Sequence, residues 1–311
     1  MSLNDIELVK WMKLGRIKGL GPRKIQALVD YFGNLEKIFN ASNDELLDTR
    51  VFKERMIPEW EKLKGASDQN FLKAIHEAMS QDIQIVTLID SRYPAKLKSM
   101  PSPPLTLFLR GDISLLEKKG KIAIVGTRQP SGEAKKLALE FSTYFSNLGL
   151  VIISGGAEGI DTIAHEGALA SEIGKTICVF GTGLFHAFPP KNAPLFERIV
   201  NANGLLISEH LPNFSGSRFS FIQRNRMTSG LSDGLFVCAS GETGGSMVQT
   251  KTAWEQRIPI FCPAIDMDIQ PNEGMKVAIK SYGAHEIREP LEMLKMIKKP
   301  KSLDSYLIEP K

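Results

Sequence analysis

The chain has 311 residues, long enough for about two domains with substantial cores. Hydrophobic residues make up 42% and charged residues 24%, proportions that exclude a largely disordered chain, and no run approaches the ~18 consecutive apolar residues of a membrane span. The balance of 39 Lys+Arg against 35 Asp+Glu leaves only +4, too little to diagnose a nucleic-acid partner, so the distribution of charge has to decide. Three cysteines, Cys178, Cys238 and Cys262, lie far apart in apolar runs. They fit neither a disulfide framework nor a metal site, and reduced, buried thiols are expected. The start MSLNDIELVKWMK has no signal pattern, so a cytoplasmic protein is expected.

Residues 1–80 read as a small helical domain. Ile6, Leu8, Val9, Met12 and Leu14 recur at helical spacing, as do Ile25, Leu28, Val29 and Phe32. Between them, Gly19-Leu20-Gly21-Pro22 makes a tight turn, with Pro22 suited to open the next helix. This resembles a helix-hairpin-helix segment, which can offer backbone N–H groups to a phosphate, and equally fits a plain connection between packed helices. Ser42 followed by Glu45 predicts another capped helix start. Residues 81–117 form a connector with short strands near Ile83–Leu88 and Leu105–Leu109, separated by Pro94, Pro101, Pro103 and Pro104. The domain boundary is expected there.

Residues 118–290 alternate apolar runs with longer amphipathic stretches. Ile122–Val125, Val151–Ile153, Thr176–Phe180, Leu205–Ser208, Gly234–Cys238 and Ile260–Cys262 read as buried strands of a mostly parallel α/β sheet. Ligands of such sheets meet the carboxyl ends of strands. Those ends are rich in glycine: Gly126-Thr127-Arg128, then Gly155 and Gly156 in the Ser154–Asp161 stretch, then Gly181-Thr182-Gly183, and later Gly244-Gly245-Ser246. Glycine lets a ligand approach the backbone, and helix starts favour anions, so these are candidate phosphate-binding loops. Tight strand-to-helix turns need glycines too. Ser246 is a candidate cap for the last of these helices. Neither a GxGxxG nor a P-loop pattern stands at these ends, and no cofactor or metal-ligand set is expected.

A second concentration is Arg218-Phe219-Ser220-Phe221-Ile222-Gln223-Arg224-Asn225-Arg226. No acidic residue stands between Glu209 and Asp233, so three arginines and two phenylalanines share a positive segment. Arginine pairs with phosphate and an aromatic face stacks an unpaired base, a combination suited to single-stranded nucleic acid. The plainer alternative puts a phenylalanine in the core and the arginines in ordinary ion pairs.

Taken together, these motifs resemble the DNA-processing protein A (DprA, or Smf) family from about Leu14 to Ile287. The resemblance rests on Ile124-Val125-Gly126-Thr127-Arg128, Ser154 through Asp161 with His165, Gly181-Thr182-Gly183-Leu184, Arg224-Asn225-Arg226 with Gly230-Leu231-Ser232-Asp233, and Gly245-Ser246. It implies a SAM-like helical domain before an extended Rossmann-like domain. It also implies binding of single-stranded DNA, dimerisation, and help in loading the RecA recombinase onto incoming DNA during natural transformation. The family's DNA contacts map onto Gly126, Thr127, Arg128, Arg218, Phe221, Arg224, Asn225 and Arg226. Arg128 and Arg218 are then expected on phosphates, Phe221 as support for a base or as a wall, and Asn225 as organiser of its loop. Ile222 stands where the family often has proline, and Glu158 puts a negative charge into a proposed anion loop, so it is expected to point away or to cap a helix. Many members carry a C-terminal winged helix; the 22 residues after Glu289 are too few for one. Residues 291–311 read as a basic tail, with Lys295, Lys298, Lys299 and Lys301.

The rival is an enzyme, a nucleotide phosphoribohydrolase on a related fold. Its PGGxGTxxE loop has only Gly241 to Ser246 as a counterpart, without the proline or the Thr-x-x-Glu. Asp161 and His165 share a helix face. With no nucleophile or metal ligands beside them, capping by Asp161 and a packed or hydrogen-bonded His165 are the expected roles, and no catalytic residue is assigned.

Overall fold

The computed structural model describes residues 3–297, and the chain divides between Phe108 and Leu109 into two compact units. In the first unit, α1 (Asp5–Leu14) starts on a capping box between Asn4 and Glu7. The glycine turn leads into α2 (Pro22–Phe32), with Pro22 in its first turn behind Gly21 and a left-handed Gly33 at its end. Next come α3 (Leu35–Asn40), α4 (Asn43–Asp48), α5 (Ile57–Lys64) and α6 (Gln69–Ser80). Ser42 and Glu45 form the reciprocal cap of α4 that their spacing predicts. Trp11, Ile25, Leu28 and Trp60 are fully buried, and the Trp60 ring meets Phe39 and Phe52 edge-on at centroid distances of 4.8 and 5.8 Å. The strand β1 (Gln84–Thr87), the short helix α7 (Ala95–Lys98) and the start of β2 (Thr106–Gly111) complete this unit. Tyr93 donates its hydroxyl to the Pro104 carbonyl at 2.7 Å, fastening the proline-rich stretch.

The second unit alternates strand and helix as the apolar runs predict. Its elements are β3 (Lys121–Val125), α8 (Gly132–Asn147), β4 (Val151–Ser154), α9 (Ile160–Leu169), β5 (Lys175–Phe180), α10 (Ala193–Asn201) and β6 (Leu205–Ser208). They continue with α11 (Arg218–Leu231), β7 (Gly234–Val237), α12 (Gly245–Glu255), β8 (Ile260–Pro263), α13 (Glu273–Tyr282), β9 (His285–Ile287) and α14 (Pro290–Ile297). The strands stand in the order β6-β5-β4-β3-β7-β8-β9, each neighbouring pair parallel. This is the extended Rossmann-like α/β arrangement. Nearly every strand residue from β3 to β8 is buried, which is why the runs read as continuously apolar. Helices α8 and α9 pack closely, and the Phe141 ring of α8 stacks on Phe236 of β7 at 4.4 Å. Helices α11, α12 and α13 form a second contiguous set.

After β3 the chain steps one way through β4, β5 and β6, then returns to place β7, β8 and β9 on the other side of β3. The strand order therefore reverses between β3 and β7, and loops diverging from such a reversal leave a crevice at the carboxyl ends. Cys178, Cys238 and Cys262 are buried free thiols; burial pushes the Cys262 thiol up to about 12. Of the predicted basic tail, Lys295 lies in α14, and residues 298–311 fall outside the described residues.

Candidate functional site

The loop after β3 is held between two others at the carboxyl edge. Thr127 donates its N–H to the Ala239 carbonyl beyond β7 at 2.8 Å, and its own carbonyl accepts from Ile160 N–H at 3.2 Å. Gly159, at φ +81°, passes so close that a Cβ there would lie 2.4 Å from the Thr127 oxygen. The backbone of Gly126-Thr127-Arg128 is thereby fixed on both sides, while the Arg128 side chain is exposed and makes no hydrogen bond or ion pair among the described residues. A fixed backbone carrying an exposed guanidinium is a geometry that suits an anion.

Beneath it lies Arg224, only 8% exposed. Its Nη1 donates to the Val179 carbonyl at 2.8 Å, and the guanidinium lies against Gly155 so tightly that a Cβ there would sit 1.7 Å from Nη1. Asp161 is buried nearby and accepts the Ala157 N–H at 3.3 Å. Burial pushes the Asp161 carboxyl up and the Arg224 guanidinium down, each opposed by the other's charge. Arg128 pushes Arg224 further down, which places two positive charges near one another, one exposed and one buried. Asp161 is not the cap of α9; that position is Gly159, and the carboxylate instead ties the preceding loop to the first turn. His165 is fully buried with Nδ1 2.7 Å from the Thr176 hydroxyl, and burial holds its pKa down to about 3. Glu158 is exposed, 3.9 Å from Lys191.

The glycine turn after β5 is closed. Gly181, Thr182 and Gly183 are buried, and Thr182 donates its hydroxyl to the His186 carbonyl at 2.7 Å. Phe221 covers this turn: a Cβ on Gly181 would lie 2.5 Å from its ring, and Phe188 packs on it at 5.1 Å between centroids. Phe221 thus packs over this closed turn. Gly156 is likewise filled in, against Cys178 and Phe196.

The turn before α12 is open. A Cβ on Gly244 or Gly245 would meet nothing within 4 Å. Gly244 is the cap residue, at φ +121°, without a side-chain cap bond. Ser246 does not cap the helix as its position suggests: its hydroxyl lies 2.8 Å from that of Ser240. The first-turn N–H groups of α12 are therefore not occupied by a capping side chain, and they suit an anion. Asn225 is buried with Nδ2 3.5 Å from the Gly245 carbonyl, and its own carbonyl accepts from Gln249 Nε2 at 2.9 Å, so α11 and the open turn are joined.

The positive segment on α11 is less uniform than its sequence. Arg226 is mostly buried and pairs with Glu209, the acid at the segment's edge, while Arg224 is internal. Arg218 is exposed without a partner among the described residues, on the first turn of a helix capped reciprocally by Ser217 and Ser220. Glu209 and Gln249 act in this network without a signal in the local sequence, because both act from other elements. Among the described residues no group of three or more His, Cys, Asp and Glu is placed to hold a metal ion.

The fold is that of an α/β protein with exposed Arg128 and an open, glycine-rich helix start at the carboxyl ends of its parallel strands. A family model for DNA recombination-mediator protein A matches residues 84–298, and the chain belongs to that family. It is 33% identical over 272 residues to protein Smf of Synechocystis, covering 86% of this chain and 67% of that protein. It is 34% identical over 207 residues to DNA processing protein DprA of Bacillus subtilis, covering 67% of this chain and 69% of that protein. The chain thus spans about two thirds of the length of these curated relatives. Among solved structures, DNA processing protein A of Streptococcus pneumoniae superposes with a TM-score of 0.78 at 27% identity, over 96% of this chain and 99% of that one. DNA processing protein A of Helicobacter pylori, described with a single-stranded DNA binding mode, gives 0.62 at 29% identity over 73% and 99%.

Proposed function

We propose that this protein binds single-stranded DNA at the carboxyl edge of its parallel sheet. As a homodimer it protects incoming DNA and assists RecA loading in natural transformation and recombination, without itself catalysing a reaction. The observation that carries the reading is Arg128, exposed and without a partner among the described residues, on a backbone clamped between two other strand-end loops. In this reading Gly126 and Thr127 fix the approach, and Arg128 and Arg218 take phosphates. Gly244, Gly245 and Ser246 offer a second anion position. Arg224, Asn225 and Arg226 belong to the site as supports, and Phe221 is its wall. The kinship with the Helicobacter pylori protein supports the choice of a single strand as ligand.

A fluorescent single-stranded oligonucleotide titrated at two salt concentrations tests this, with a mass measurement for the oligomer. Single strand should bind in preference to duplex, and the log–log salt slope should fall by about 0.7 in Arg128→Ala, one phosphate contact on the single-strand coefficient. Equal affinity for duplex, or an Arg128→Ala protein indistinguishable from wild type, would overturn the reading.

A further inference from the structure

Phe221 is the phenylalanine that the family pattern selects, yet its ring is occupied by Gly181 on one side and Phe188 on another. The aromatic face left free on α11 belongs to Phe219, which is 71% exposed, more than any other large hydrophobic side chain among the described residues. It sits in the first turn of α11, beside the exposed Arg218. Ile222, 40% exposed, follows three residues after Phe219 and four after Arg218, so helical geometry makes it the neighbour of both on the helix surface. The reciprocal Ser217–Ser220 cap fixes that turn, so the ring is presented from a rigid element.

We propose, resting on the DNA-binding function above, that Phe219 is a stacking platform for unpaired nucleobases, extending the single-strand track from the strand-end loops along α11. An exposed apolar face needs a reason to stay uncovered, and its surroundings specify one. Among the described residues Arg218 has no acidic partner, no acid occurs between His210 and Ser232, and the one nearby arginine with an acidic partner, Arg226, is already paired to Glu209. An anionic ligand with flat apolar faces matches that combination. The patch shares its helix with the proposed phosphate site: Arg224, six residues after Arg218 and so about 9 Å along the axis, faces inward against Gly155 near Arg128. Every base has a π-face, so the platform is tolerant of sequence. Its neighbour Arg218 then holds the backbone of the stacked nucleotide.

The test compares wild type, Phe219→Ala, Phe219→Trp and Arg128→Ala on an oligothymidylate and on a strand of equal length carrying a run of abasic sites. Phe219→Ala should bind oligothymidylate roughly tenfold more weakly, with the salt slope unchanged, and the difference should vanish on the abasic strand. Phe219→Trp should retain the affinity and report binding through quenched indole fluorescence. Thermal midpoints of the Phe219 variants should match wild type, because the ring is exposed. If Phe219→Ala binds as wild type while Arg128→Ala is weakened, the platform falls and the DNA-binding function stands. A Phe219→Ala protein altered only in its oligomeric mass assigns the patch to a protein contact, and again the platform alone falls. An equal loss on the abasic strand also overturns stacking. If wild type binds no single strand, both proposals fail together.

Discussion

The turns after β5 and before α12 have similar glycine-rich sequences and opposite uses. Gly181-Thr182-Gly183 is sealed: Phe221 lies on Gly181, and a Cβ on Gly183 would come within 2.0 Å of the Leu211 carbonyl oxygen. Gly244-Gly245 faces open space. In the first, absence of a side chain lets protein backbone come close; in the second, it leaves room for something else. Glycine at a strand end therefore does not by itself mark a ligand site, and what stands against the missing Cβ decides.

The most severe test of that contrast is Gly183→Ala against Gly245→Ala. The atoms nearest Gly183 are the backbone oxygens of Leu211 and Pro212, which cannot swing aside as a side-chain tip can. The expected loss is about 3 kcal/mol or more, read from urea unfolding. Gly245→Ala should shift stability by no more than about 0.5 kcal/mol, and any effect should appear in oligonucleotide affinity instead. A tolerated Gly183→Ala would break the comparison.

Arg224 and Arg128 carry the same contrast into side chains. Replacing Arg224 by methionine removes the donor to Val179 and the positive charge opposing the buried Asp161, so we expect a loss of about 2–3 kcal/mol. Arg128→Met should stay within about 0.5 kcal/mol of wild type, since the side chain has no partner among the described residues. Both substitutions weaken DNA binding in the proposed function, and unfolding measurements separate the support from the contact.

These roles explain which parts of the molecule are legible in its sequence. Six buried strands announce themselves because parallel strands covered on both faces are apolar throughout. The strand β9 does not, since only Ile287 of its three residues is buried. The strand-end loops are legible as an edge, through their position after each run. Which arginine is free is not, because Arg226 finds Glu209 across 17 residues and Arg224 finds a carbonyl of β5. The acid-free window is bounded by the very acid that neutralises part of it. Phe219 and Phe221 are likewise equivalent in composition, and only packing against Gly181 and Phe188 separates wall from exposed face.

The buried polar layer below the edge supplies a smaller effect, with a sign that can be worked out. The Thr176 hydroxyl donates to the Ile152 carbonyl at 2.8 Å, so it accepts from His165 Nδ1–H, and the buried Nε2 is left as a bare acceptor without a partner among the described residues. Burial lowers the folded pKa from 6.5 to about 3, so between those values the unfolded chain binds a proton that the folded chain does not. Stability from this group is complete above about pH 6.5 and is lost as pH falls toward 3, up to about 2 kcal/mol between pH 7 and 5. His210, lowered by burial as well, adds in the same direction. Asp161 acts oppositely: its raised pKa makes the folded state bind the proton more readily as pH falls, which offsets part of the loss. His165→Gln should therefore flatten the fall in urea-unfolding free energy between pH 7 and 5 by up to about 2 kcal/mol. Asp161→Asn should steepen the loss at lower pH. A His165→Gln protein with the wild-type pH dependence would mean that His165 titrates in the folded state much as it does in the unfolded one, and the sealed layer beneath the open edge would then be accessible to protons.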